Sequence, residues 1–92
     1  MAKFVALTTF SSQELRSEHR PEHRVFLHAL VDQGVLLLAG PFEDEASGSL
    51  LIFEAESAEA VRTMMAADPY VTQGVFATFE IRPFTPVAGQ IG

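Results

Sequence analysis

Residues 35–55, VLLLAGPFEDEASGSLLIFEA, decide the fold. Two short apolar runs, 35–42 and 48–55, flank an acidic link, and Gly40-Pro41 closes the first of them. Runs of this length bounded by turn formers read as strands, and their closeness along the chain makes them a hairpin. What lies on either side of the hairpin then sets the topology. Residues 3–10, KFVALTTF, are rich in aromatic and β-branched types and read as a strand running into a polar SSQE loop. Residues 75–84, VFATFEIRPF, alternate Val75, Ala77, Phe79 and Ile81 against Phe76, Thr78, Glu80 and Arg82, which is the period of a last strand.

A helical pattern separates each outer strand from the hairpin. His23, Phe26, Leu27 and Leu30 recur at i, i+3, i+4 and i+7, and the spacing predicts a helix over 18–33. Ser17 suits its N-cap, Pro21 is tolerated in its first turn, and Gly34 stops it. Ser57 caps a second helix over 58–67, with Val61, Met64 and Met65 as its inward stripe and Pro69 as its stop. Both methionines read as core filler. Right-handed connections fold this order into a four-stranded antiparallel sheet with both helices on one face, the ferredoxin-like βαββαβ arrangement of an α+β protein. Residues 1–84 are expected to form one domain. Residues 85–92, TPVAGQIG, carry breakers and no period, and are expected to form a tail or an arm.

Composition narrows the function classes. The chain has 92 residues, of which 48% are hydrophobic, enough for one small core. It has no cysteine, which removes disulfides, thiolate metal sites and a thiol nucleophile together. Six Lys and Arg against a net charge of −6 argue against a nucleic-acid partner. No apolar run approaches the roughly 18 to 20 residues of a membrane helix, and MAKFVALTTF lacks the apolar core of a signal peptide, so the cytoplasm is the expected location. Val5 and Leu7 oppose Phe4, Ala6 and Phe10 across the first strand, and Val35 and Leu37 oppose Leu36 and Leu38 in the third segment. With both sheet faces apolar, the face turned away from the helices is expected to be covered by a second copy in a homodimer.

In the ferredoxin-like topology the start of the first helix and the end of the second meet at one edge of the sheet. His23 falls near that start, and extending the stripe of the second helix leads to Asp68. The two are expected to face one cavity as a base and the group that orients it. The positive end of a helix would favour a neutral imidazole, and a carboxylate would favour the protonated one. Asp68 before Pro69 also fits the N-cap of a one-turn helix over PYVTQ, and His23 fits a hydrogen-bonded histidine near a helix terminus. Arg20 suits an anionic substrate group, with pairing to Glu18 or Glu22 as the alternative. Tyr70 is expected to offer its hydroxyl to the cavity or to pack the loop. His19 and His23 have the spacing of a helical metal pair, but no third ligand is evident, and neither a metal nor a cofactor is expected. His28 reads as a solvated residue on the opposite face.

RPEH at 20–23, LLLAGPF, GSLLIFEAES, ADPYVTQGVF and the closing EIRPF together resemble the YciI-like, or YCII-related, family of the dimeric α+β barrel group, over nearly the whole chain. The resemblance implies a homodimer of ferredoxin-like subunits and a His and Asp active site, carried to His23 and Asp68. It also implies acid/base chemistry of the lyase or dehydrohalogenase kind on a small cyclic substrate. The short EDEASG link and the trailing TPVAGQIG depart from the family's usual pattern, so loop-determined specificity does not carry over. A non-catalytic metabolite-binding or sensing domain is the alternative, because the same pair hydrogen-bonds a ligand as readily as it activates one. A purely structural partner domain is a third.

Overall fold

The computed structural model describes residues 1–44 and 48–90; the middle of the hairpin link and the last two residues of the tail lie outside this range. Its elements are β1 (Ala2–Phe10), α1 (Gln13–Asp32), β2 (Leu36–Pro41), β3 (Gly48–Ala55), α2 (Ala58–Met65), α3 (Pro69–Thr72) and β4 (Phe76–Phe84). The strands order β2-β3-β1-β4 with every neighbouring pair antiparallel. This is the ferredoxin-like α+β sheet, with its helices on one face, and the short α3 is an addition between α2 and β4.

Register decides which side chains meet the helices. Phe4, Ala6 and Thr8 of β1 stand opposite Phe53, Leu51 and Ser49 of β3, and all six are buried. Leu36 of β2, Leu30 of α1, and Val61 and Met65 of α2 close on them to form the core. Burying each such aliphatic or aromatic side chain contributes roughly 1.5 to 3 kcal/mol. Alternation sends Val5, Leu7, Leu50 and Ile52 to the other face, where Lys3 pairs with Glu54 at 3.0 Å and Leu38 is exposed at the edge. The face away from the helices is thus apolar at its centre, as the sequence indicates.

Several boundaries differ from the expected ones, three of them for a visible physical reason. α1 begins five residues early, because Ser12 rather than Ser17 takes the cap and its hydroxyl accepts the Leu15 N–H at 3.1 Å. Glu14 then sits in the first turn, where the helix dipole favours it. Pro21 consequently lies inside the helix, where it has no N–H to offer the Ser17 carbonyl. The other end agrees with expectation: Gly34, at φ +78°, turns the chain out of the helix and donates its N–H to Val31. α2 stops at Met65, because Ala67 and Asp68 turn back to the Met64 and Met65 carbonyls at 3.3 and 2.9 Å.

The last difference affects the sheet. β4 begins at Phe76, and a register shift between Thr9 and Phe10 places Phe10 opposite Phe76. An irregularity of this kind breaks strict alternation. Phe76, which strict alternation sets on the face opposite Phe79 and Ile81, is instead buried in the core against the partly buried Phe10. Substituting each candidate cap in turn tests the helix start. Ser12→Ala is expected to cost about 1 kcal/mol, a fall in Tm of roughly 4 to 8 °C for a domain of this size, whereas Ser17→Ala should change it little. Thermal melts of the two variants distinguish them.

Candidate active site

Asp68 is the best-defined polar group in the fold. It caps α3, with Pro69 in the first helical position, and its Oδ1 accepts the Tyr70 N–H at 2.9 Å. The same oxygen lies 2.7 Å from Nδ1 of His23. Capping and pairing, which the sequence posed as alternatives, coexist on one atom. The carboxylate is only 1% exposed, and its Oδ2 has no hydrogen-bond partner among the described residues. An ionised carboxylate only accepts hydrogen bonds, so Nδ1 carries a proton, and in the neutral imidazole Nε2 is then the acceptor.

Two rings fix the plane of this imidazole. Tyr70 stacks on it face to face, with centroids 3.6 Å apart and planes 2° from parallel, and Phe76 meets it edge-on at 6.0 Å. Tyr70 is anchored in turn, its hydroxyl donating to the Arg16 carbonyl at 3.0 Å. This corrects the expectation of a hydroxyl offered to the cavity, since the carbonyl of the facing helix already takes it. His23 itself lies midway along α1 rather than near its start, away from the partial charge of the helix end.

A cleft of about 300 Å³ opens beside the pair, between α1 and the β2 edge at Ala39, Gly40 and Pro41, with Ser49 and Leu51 on its floor. Arg16, Arg20 and Arg24, one helical turn apart, line its α1 wall, and no Asp or Glu among the described residues borders it. In a chain with twelve acidic residues and six basic ones, half the cations face one cavity. Arg16 is held over the Phe10 ring at 4.4 Å. Arg20 and Arg24 form no ion pair among the described residues. Glu18 and Glu22 instead flank His19, at 3.0 and 3.6 Å.

That engagement of His19 leaves the His19 and His23 spacing without a metal-site geometry, and no cluster of three possible ligands occurs among the described residues. Met64 and Met65 pack as core filler, as the sequence indicates. His28 borders the cleft and is not on an opposite face. The structure also adds Arg16, Arg24 and Ser49, which the sequence reading passed over. The i, i+4 recurrence of arginine at 16, 20 and 24 was the available signal for two of them.

These features define a ferredoxin-like domain that carries a part-buried histidine paired with a buried carboxylate at the edge of a cationic cleft. The chain belongs to the YCII-related domain family, whose sequence model matches residues 2–85. It is 40% identical over 85 residues to protein YciI of Escherichia coli, a match spanning 83% of this chain and 87% of that one. Among solved structures it resembles a 5-chloro-2-hydroxyhydroquinone dehydrochlorinase from Burkholderia phenoliruptrix, in complex with 2,5-dihydroxybenzoquinone. The TM-score is 0.77 at 24% identity, over 90% of this chain and 93% of that one. A dimeric ferredoxin-like protein from an uncultured marine organism shares the fold at a TM-score of 0.57 and 12% identity, over 99% and 92% of the two chains. No described helix is long and apolar enough to cross a membrane.

Asp68→Ala removes a cap and leaves the His23 Nδ1–H without its acceptor. The expected loss is about 2 to 4 kcal/mol, the sum of a cap and an orphaned buried donor, and urea denaturation measures it. Asp68→Asn retains an oxygen acceptor and should cost distinctly less.

Proposed function

We propose that the chain is a small-molecule enzyme in which His23 Nε2 acts as general base and Asp68 holds the imidazole tautomer. The observation that carries this reading is the 2.7 Å Nδ1 contact to a buried carboxylate, with Nε2 free of any partner among the described residues beside a cleft walled by arginines. Such a cleft suits an anionic or hydroxylated ring, with Arg20 and Arg24 taking its charge. The chemistry that follows is elimination of the lyase or dehydrohalogenase kind. Nε2 takes a proton from a tetrahedral carbon of the ring's diketo tautomer, the C–H electron pair becomes the new ring double bond, and the leaving group departs from the adjacent tetrahedral carbon with its bonding pair. Asp68 stabilises the imidazolium formed in this step. The name of the Burkholderia neighbour, a dehydrochlorinase acting on a hydroxylated ring, supports the choice of substrate class.

His23→Asn tests the base directly, because its amide N–H can still reach Asp68 while the second ring nitrogen is gone. With chloride release from 5-chloro-2-hydroxyhydroquinone as the first assay, turnover is expected to fall about 10²- to 10⁴-fold. Turnover equal to wild type would exclude His23 as the base. Ring binding without turnover in the wild-type chain would instead favour a metabolite-binding module.

The reading includes a homodimer in which a second copy covers the apolar centre of the face turned away from the helices, where Val5, Leu7 and Leu50 are half-buried and Leu38 is exposed. The marine neighbour, a dimeric ferredoxin-like protein, supports this part of the reading. Light scattering at micromolar concentration is expected to give twice the mass of one chain, and Leu50→Asp to reduce it to one.

A further inference from the structure

Two hydroxyls interrupt the apolar face of the sheet beneath the helices. Thr8 of β1 and Ser49 of β3 are register partners, 4% and 7% exposed, and their side-chain oxygens are 2.6 Å apart. Gly48 permits this approach, since a Cβ at that position would collide with the Thr8 carbonyl oxygen.

Each hydroxyl has one proton, and only one of the two can lie between the oxygens. Neither side chain makes a second hydrogen bond among the described residues. One donor is therefore left over, and burial decides which. If Ser49 donated to Thr8, the surplus proton would be enclosed in the core without an acceptor, an arrangement that costs free energy. If Thr8 donates, the surplus proton is that of Ser49, which borders the cleft and can reach water or a ligand.

We propose that Thr8 donates to Ser49 and that Ser49 presents its O–H to the cleft, as the donor for a second oxygen of the anion held by Arg20 and Arg24. This rests on the anionic-ring reading above and deepens it. The ligand class becomes a ring with an acceptor oxygen apart from the group the arginines take, as in a hydroxyquinone. Tyr70 has already given its hydroxyl proton to the Arg16 carbonyl, so Ser49 supplies the free neutral O–H donor among the described cleft residues. A hydroxyl that itself accepts a hydrogen bond is a stronger donor, and its bond to an oxygen gaining negative charge strengthens further.

Neutron diffraction on deuterium-exchanged crystals tests the direction without any ligand. The Thr8 deuteron should lie on the line to Ser49 Oγ and the Ser49 deuteron should point into the cleft; the reverse arrangement overturns the proposal. Calorimetric titration tests the ligand half, using 2,5-dihydroxybenzoquinone and, as a control whose only oxygens are on its anionic group, benzoate. Ser49→Ala is expected to weaken dihydroxybenzoquinone binding about tenfold or more and benzoate binding by less than about twofold. Thr8→Val should show the same selectivity with a smaller loss. Equal losses for both probes, or none, would refute the donor role while leaving the arginine site intact. A wild-type chain that binds neither probe overturns the ligand half together with the anionic-ring reading, and the deuteron positions then judge the hydroxyl pair alone.

Discussion

The Asp68 carboxylate accepts the Tyr70 N–H and the His23 Nδ1–H on the same oxygen, and much of the site depends on that double acceptance. The first bond starts α3 and so places the Tyr70 ring. That ring stacks on the imidazole which the second bond has oriented, and its hydroxyl returns to α1 at Arg16. The circuit closes on itself, so each member is positioned by two others. A fully buried carboxylate is expensive to desolvate, and its two N–H donors offset the cost only while both are in place. His23 is for this reason also a structural residue. Removing its ring would leave a buried charge with one partner fewer as well as a cleft without a base.

α1 serves the core and the cleft with adjacent stripes. Phe26 and Leu30 pack on the sheet, and Arg16, Arg20 and Arg24 turn toward the β2 edge. Pro21 interrupts the helix ladder between Arg20 and His23 without ending the helix. Its cost of about 3 kcal/mol in an isolated helix is one that packing along both stripes can absorb.

The architecture was legible because period and punctuation agree at most boundaries: the hairpin runs, Ser57 before α2, Gly34 after α1 and Asp68-Pro69 before α3 all carry their own local chemistry. The start of α1 was obscured because Ser12 and Ser17 are both plausible caps, and a proline four residues after Ser17 favours the later one. The two groups of the candidate pair were readable as neighbours, although His23 lies midway along α1 and not near a helix start. The inward turn of Phe76 was not readable, because an irregular register between Thr9 and Phe10 depends on how two distant strands pair and leaves no periodic trace in either. The cationic wall could be read as spacing but not as a wall, since only the fold shows that Glu18 and Glu22 turn to His19 and leave Arg20 without an ion pair among the described residues.

The contrast between a chain of net charge −6 and a cleft bordered by three arginines has a consequence for how a ligand arrives. Far from the surface an anion meets the field of the whole chain, which repels it. Within a screening distance of the cleft, about 8 Å at physiological ionic strength, it meets the arginines instead. Added salt weakens the distant repulsion first, because widely separated charges are screened more completely than those in contact. The association rate of an anion should therefore rise with moderate ionic strength before it falls, the reverse of the monotonic decline expected of a basic protein.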